Sequence, residues 1–343
     1  VRILSELKRV AVFMGGVSFE HDVSLSSGRG VLAALDPGKY MGVPVVIGHD
    51  GQWSVEEGEP VPAWQGIAAL HALGVDCVFI ALHGPNGEDG RMQGLLDILG
   101  LPYTGSGCAA SALAMDKIRC KAVVSSQGIR VANHIALDAD TWEADPEAIV
   151  DAVRRDIGFP CVVKAARGGS SVGTSVPDSE AAFWDAVALT LKHDDGVLVE
   201  RLIVGREVTC GVLDVEPGGF LRSLPVTEII PNTKGDFWTY EDKYTPGATL
   251  EVTPAELPPA LTTQVMDMAA HVHEIVGCRG WSRSDFIIDA QGPVWLEVNT
   301  VPGLTPTSLY PQAAAAAGIS YSEMVSLFIE RALRDAAGKE HHA

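Results

Sequence analysis

Residues 282–299 read SRSDFIIDAQGPVWLEVN, two runs rich in β-branched and aromatic residues separated by AQG. That pattern is a β-hairpin. With Gln291 at the centre of the turn, Asp285 lies opposite Glu297 and Arg283 opposite Asn299. Side chains of a strand alternate faces, so Arg283, Asp285, Glu297 and Asn299 gather on one side, and Phe286, Ile288, Leu296 and Val298 on the other. The apolar face is expected on a core. On the polar face two carboxylates and an amide oxygen converge, and they repel unless cations lie between them. Hard oxygen ligands without His or Cys suit Mg²⁺ or Mn²⁺ shared with substrate phosphates. The alternative is a solvated hairpin face with an incidental Arg283–Asp285 pair.

Upstream, VVKAARGGSSVG at 162–173 ends an apolar run with Lys164 and continues in glycines and serines. Backbone N–H groups around Ser171, with the lysine's point charge, can cradle the phosphates of a nucleotide. A surface loop with a solvated lysine is the plainer alternative. No G-x-x-x-x-G-K-[ST] occurs, so a P-loop is excluded. Gly169, Ser171 and Gly173 also satisfy G-x-S-x-G, and HGPNG at 83–87 is similar to an HGGG-type loop, as in a serine hydrolase. Against that reading, TSVPDSE follows, with Pro177 where a helix would have to start. GSGCAA at 105–110 fits a dinucleotide fingerprint, but the acid expected about 20 residues on is missing.

The 343 residues are long enough for two or three domains. With 25 Lys and Arg against 44 Asp and Glu, the net charge of −19 disfavours nucleic acid and anionic membrane as partners. The six cysteines show neither zinc spacing nor a disulfide framework, the start of the chain is too polar for a signal peptide, and no apolar run spans a membrane. A cytoplasmic protein is expected. KRVAVFMGG and VDCVFIALHG are buried strands running into glycines, with helical patterns between, which predicts a parallel sheet whose ligands lie beyond its carboxyl ends. That puts Glu20 and His83 on the ligand side. An alanine-rich helical stretch, GCAASALAMDKIRCKAVVSSQG, leads out. GFPCVVKAA and VLVERL bracket DSEAAFWDAVALTLKHDD, a small middle domain of two strands and a helix. The rest mixes strands, the loop PNTKGDFWTYEDKYTPG, the helix PPALTTQVMDMAAHVHEIVG and a final helix.

Taken together, GGVSFEHDVSLSSG, ALHGPNGEDGRMQGLLDILGLPYTGSGCAASALAMDK, VVKAARGGSSVG, FWTYEDKYTPG and LEVNTVPGLTPTSLYP make the chain resemble the D-alanine–D-alanine ligases of the ATP-grasp superfamily along nearly its whole length. The resemblance implies an α/β and α+β three-domain ATP-grasp architecture with an N-terminal Rossmann-like parallel-sheet domain. Its parts would be a substrate-binding domain at 1–115, a small ATP-grasp domain at 116–209 and a C-terminal domain with the metal site at 210–335. It implies ATP and two Mg²⁺ (or Mn²⁺) as cofactors and a homodimer. The activity would be the joining of two D-alanines through an acyl phosphate for peptidoglycan precursors, with D-alanyl-D-serine or D-alanyl-D-lactate formation as alternatives.

Residue by residue, the resemblance gives Glu20 the ammonium of the first D-alanine, with His83 nearby. Lys117, Lys164 and Lys243 would bind phosphate, Glu200 and Glu207 would contact adenosine, and the backbone at Ile203 would face adenine. Arg201 stands where the family often has lysine, and KAARGG departs from the commoner KPSREG. Asp285, Glu297 and Asn299 would hold the metal ions. Arg283 and the Gly303 N–H would stabilise the oxyanion, and Ser308 with the Leu309 backbone would hold the second carboxylate. Tyr244 would join Ser170 and Glu20 in a network that favours an amine nucleophile, since relatives making the depsipeptide carry phenylalanine there.

Overall fold

The computed structural model describes residues 7–169, 173–216, 220–231 and 249–340, and the side chains of all of these but the last two. Three sheets organise them. The first has the order β3-β2-β1-β4, formed by β1 (Lys8–Gly15), β2 (Tyr40–Ile47), β3 (Trp53–Val55) and β4 (Cys77–Ile80). β1 runs parallel to β2 and β4, and only β3 is antiparallel. The central strands read as continuous apolar runs because both faces are covered. Ala11, Phe13, Val78 and Ile80 pack with Leu70 of α2 (Ala63–Ala72) and Leu96 of α3 (Arg91–Leu99). On the other face Val10, Val12 and Phe79 pack with Val31 of α1 (His21–Ala34).

The second sheet is antiparallel, with β8 (Arg206–Asp214) in the middle of the order β11-β10-β8-β12-β13 and β9 (Arg222–Ser223) also on β8. The outer strands are β10 (Thr227–Pro231), β11 (Thr249–Val252), β12 (Gly280–Asp289) and β13 (Gly292–Asn299). Helix α9 (Pro259–Val276) lies on one face. Its buried Val265, Ala269, Val272 and Val276 fall at helical spacing, Pro259 opens its first turn, and Gly277 ends it with φ 74°.

The alanine-rich stretch forms two helices where one was expected, α4 (Cys108–Met115) and α5 (Lys117–Ser126). Asp116 between them has extended backbone, and its carboxylate accepts the Arg119 N–H at 3.0 Å, so it caps the second helix and breaks the first. Ala110, Cys120 and Val124 of this pair join Val208, Val265, Phe286 and Trp295 in the core of the second sheet.

The third sheet, β5-β7-β6, contains β5 (His134–Asp138), β6 (Cys161–Ala165) and β7 (Gly196–Arg201). The expected strand–helix–strand unit is there, with α8 (Glu180–Thr190) between β6 and β7. β5, α6 (Ala139–Ala144) and α7 (Pro146–Asp156) extend it. Two further helices follow, α10 (Leu309–Ala316) and α11 (Tyr321–Glu340), and α11 returns to the first sheet, where its Phe328 lies near Phe79 while stacking at 3.8 Å on Trp281 of β12 in the second sheet. Among the described residues no helix is long and apolar enough to cross a membrane.

Candidate functional site

A cleft of about 850 Å³ is bounded by the second and third sheets and the loop after β4. Its walls bring together Lys117, Lys164, Glu200, Arg201, Ile203, Glu207, Asp285, Glu297 and Asn299, all expected at a nucleotide and metal site. Ser170, Ser171, Lys243 and Tyr244 lie outside the described residues.

Asp285 pairs with Glu297 and Arg283 with Asn299, as the alternation of the hairpin required. The turn itself differs. Asp289 pairs with Gly292, so the loop is Ala290–Gln291, and centring it on Gln291 is one half-step wrong. A register shift between Asp285 and Phe286 restores the expected partners: Phe286 pairs with Trp295, leaving Leu296 as the extra residue of a β-bulge. Leu296 therefore leaves the core face to which the simple alternation assigned it and lines the cleft, while Trp295 enters the core.

Thr209 on β8 pairs with Asp285 from the other side, and its hydroxyl donates to the carboxylate at 2.7 Å. Arg283 donates two hydrogen bonds to the same carboxylate, at 2.8 and 2.9 Å, and the Asn299 amide donates at 3.1 Å. Burial alone would disfavour the Arg283 charge, but Asp285 holds its pKa above the ordinary value. Asp285 is thus oriented before any ligand arrives.

The donor set suits a hard divalent cation, since the Asn299 amide keeps its oxygen for a ligand when its nitrogen faces Asp285. Among the described residues no group of three or more His, Cys, Asp or Glu forms a cage, so phosphate oxygens would have to complete the coordination. Lys117, in the first turn of α5, lies 3.7 Å from Glu297 and donates to the Gly168 carbonyl.

On the facing wall, Val162 pairs with Glu200 and Lys164 with Leu198, which makes Lys164 and Glu200 diagonal neighbours on one face. Their charged ends meet at 2.5 Å. Lys121, one helical turn beyond Lys117, reaches the other Glu200 oxygen at 2.9 Å and the Leu296 carbonyl at 2.9 Å. Burial would raise the Glu200 pKa, but Lys164 and Lys121 bring it down to about 2. Arg201 is exposed, and its Nε donates to the Ile157 carbonyl at 3.4 Å.

Outside the lining of the cleft, Gly15 and Gly16 turn the chain out of β1 with φ 85° and 98°, and a Cβ on Gly15 would lie 2.4 Å from the Ile47 carbonyl oxygen. Glu20 follows. A Cβ on Gly84 or on Gly169 would come within 2.9 or 2.8 Å of its Oε2, so both loops leave room for this carboxylate by having no side chain. His83 is buried, and burial lowers its pKa. Its Nδ1 lies 3.1 Å from the Val301 carbonyl, so Nδ1 carries the proton and Nε2 accepts from the Ser27 hydroxyl at 2.9 Å. Ser27 in turn accepts the Leu304 N–H at 3.4 Å. His83 thus holds the loop that carries Gly303. A Cβ on Gly303 would lie 3.0 Å from the Ser308 Oγ, at the N-terminus of α10, where Leu309 begins the helix.

Sequence reasoning missed Lys121, Thr209, Ser27 and Glu88. Glu88 lines the cleft and accepts the Gly84 N–H at 2.9 Å; desolvation first, and then Glu20, raises its pKa to about 8. Its only signal was a place in HGPNGEDG.

The D-ala D-ala ligase N-terminus family matches residues 9–70 and 63–106, and the D-ala D-ala ligase C-terminus family matches 123–330. A D-alanine–D-alanine ligase of Halalkalibacterium halodurans is 40% identical over 328 residues, 95% of this chain and 99% of that one. The structure of a Bacillus anthracis D-alanine–D-alanine ligase complexed with ATP superposes with a TM-score of 0.78 at 30% identity, covering 97% of this chain and 99% of that chain. A D-Ala:D-Ser ligase from Enterococcus faecalis superposes with a TM-score of 0.81, also at 30% identity, over 95% of this chain and 100% of its own.

Proposed function

Because the chain belongs to the D-alanine–D-alanine ligase family of ATP-grasp enzymes, joining two D-alanines with conversion of ATP to ADP, we propose the following roles for its residues. One observation carries the reading. A single cleft gathers Lys117 and Lys164, the oxygen-only face of Asp285, Glu297 and Asn299, and the β7–β8 segment. Adenosine lies along residues 200–207, with Ile203 against the base and Glu200 and Glu207 nearest the nucleoside. Arg201 contributes little there, because its side chain is turned to Ile157. Lys117 and Lys164 meet the phosphates, joined by Lys243 and the loop at Ser171.

Asp285, Glu297 and Asn299 would hold two divalent cations, which would supply charge neutralisation on the transferring phosphoryl group. Glu20 receives the first D-alanine's ammonium, with Ser170 and Tyr244. The carboxylate of that D-alanine attacks the γ-phosphate, giving an acyl phosphate and ADP. The second D-alanine's amine then attacks the acyl carbon, and phosphate leaves. Arg283 and the Gly303 N–H face the oxyanion, donors of a type worth about 3–4 kcal/mol. Ser308 and the Leu309 N–H take the second carboxylate at the positive end of α10. His83, with both ring nitrogens committed to protein, acts through the Val301–Leu304 loop.

We place the domains at 1–115, 116–209 and 210–335; the grouping of the strands into three sheets supports this division, with β8 running across the bound at 209. A homodimer in the cytoplasm completes the reading, and the six free cysteines suit a reducing compartment. The test is a steady-state comparison with D-alanine, ATP and Mg²⁺. Glu20→Gln should raise KM for D-alanine, and Lys164→Met should raise KM for ATP. Loss of neither, or the two effects exchanged, would overturn these roles.

A further inference from the structure

The Lys121 side chain is 0% exposed and takes no part in the roles above. A buried ammonium costs several kcal/mol unless it is paired, and well-packed apolar residues often replace such a group without loss, so burial alone gives no reason for a lysine here. Its partners give one. Nζ meets Glu200 of β7 at 2.9 Å and the carbonyl of Leu296 at 2.9 Å, and it sits 5.2 Å from the centre of the Trp295 ring. The first partner shares its carboxylate with Lys164. The second is the bulged residue that brings Glu297 opposite Asp285. One cation on α5 therefore touches both walls of the cleft, one turn after Lys117.

We propose that Lys121 is a positioning residue for the metal–nucleotide complex: it shares the Glu200 carboxylate so that Lys164, itself 2.5 Å from that carboxylate, is not fully neutralised by it, and it pins the Leu296 bulge that sets Glu297 in register with Asp285. The first half follows from charge. Burial lowers the Lys121 pKa and Glu200 beside it works against that; with Lys121 charged, Lys121, Lys164 and Glu200 together carry one net positive charge. Without Lys121 both Glu200 oxygens fall to Lys164, and the pair is neutral toward the cleft. The second half follows from hydrogen bonding. A bulge leaves the extra residue's backbone outside the ladder, and a buried carbonyl without a donor is costly, so the Lys121 ammonium stabilises the bulged register over the regular one. The inference rests on the reading that Lys164, Asp285, Glu297 and Asn299 receive the metal and nucleotide.

The experiment measures binding, apart from turnover, of adenosine and of AMP-PNP with and without Mg²⁺, by calorimetric and competition titration. The proteins are the unaltered chain, Lys164→Met, Lys121→Met and Lys121→Gln. Lys121→Met keeps the Glu200–Lys164 pair and should fold. It should weaken Mg·AMP-PNP binding about ten-fold or more and raise the Mg²⁺ needed for half-saturation, while changing adenosine binding by less than about two-fold. Lys121→Gln restores a donor for the Leu296 carbonyl without the charge, and should recover the Mg²⁺ requirement but not the full affinity. A lysine that only supports the fold would lower the melting temperature and leave the ratio of Mg·AMP-PNP to adenosine affinity as it was; that result, or failure of both variants to fold, overturns the proposal. If the unaltered chain gains nothing from Mg²⁺ and phosphates, or Lys164→Met retains that gain, the underlying site reading fails instead.

Discussion

The two walls of the cleft manage charge in opposite ways. On the hairpin wall two carboxylates, Asp285 and Glu297, are held beside one arginine, and Thr209, Arg283 and Asn299 donate to Asp285. On the facing wall two lysines, Lys121 and Lys164, are held by one carboxylate, Glu200. On the first wall Arg283 pairs with Asp285 and Lys117 lies 3.7 Å from Glu297, so its carboxylates are offset by side chains that phosphate can draw away; the second wall carries more lysine than carboxylate and calls for phosphate. The lysine wall is not a balanced set, and the carboxylates of the hairpin wall become available to cations as Lys117 turns to phosphate. A magnesium–nucleotide complex has the charge distribution that fits between them.

The largest effect should come from removing the single carboxylate of the lysine wall. Glu200→Gln strands the buried Lys121 ammonium and the partly exposed Lys164, and is expected to cost roughly 3–5 kcal/mol of stability, measured by urea denaturation. The Lys121→Met/Glu200→Gln double variant should be more stable than Glu200→Gln alone, which no account based on lost packing would give. The acid limb follows with its sign fixed. Burial opposes ionisation of Glu200, yet the lysines lower its pKa from the ordinary 4.5 to about 2. Its contribution is therefore full above about pH 4.5 and lost as pH falls through about 2. Stability of the unaltered chain should drop over that window, and that share of the drop should vanish in Glu200→Gln.

The hairpin wall should show the reverse pattern, with activity affected more than stability. Asp285→Asn keeps the shape but removes a charge and the acceptor for two of the four donors on this carboxylate, and should lower kcat by about 100-fold while costing less stability than Glu200→Gln. The smallest effect sharpens the comparison. Thr209→Val removes one donor to Asp285 and should cost about 1 kcal/mol of stability, with a few-fold rise in the Mg²⁺ required. A larger loss of activity than in Asp285→Asn would mean that Thr209, not the carboxylate, organises this wall.

The walls also differ in how far the sequence discloses them. Arg283, Asp285, Glu297 and Asn299 were legible because strand alternation gathers residues close in sequence onto one face. The bulge at Leu296 was not, and it compensated an error of half a residue in the turn, so the site pairs came out right while Leu296 and Trp295 exchanged places. On the other wall Lys164 was legible from its loop. Its dependence on Glu200 was not, since residues 121, 164 and 200 meet only when α5 packs under the second sheet beside β6 and β7. The spacing of Lys117 and Lys121 by one helical turn was the available signal. In the first sheet the buried parallel strands followed from their unbroken apolar runs, whereas the return of α11 to cover that sheet has no local signature at all.

The claim at the centre is that cations are bound by the hairpin only together with nucleotide phosphates. Electron paramagnetic resonance titration of Mn²⁺ tests it most directly. With AMP-PNP present, the chain should bind two Mn²⁺ tightly, bind them weakly without nucleotide, and lose them in Asp285→Asn. Tight Mn²⁺ binding without nucleotide, or unchanged binding in that variant, would contradict it.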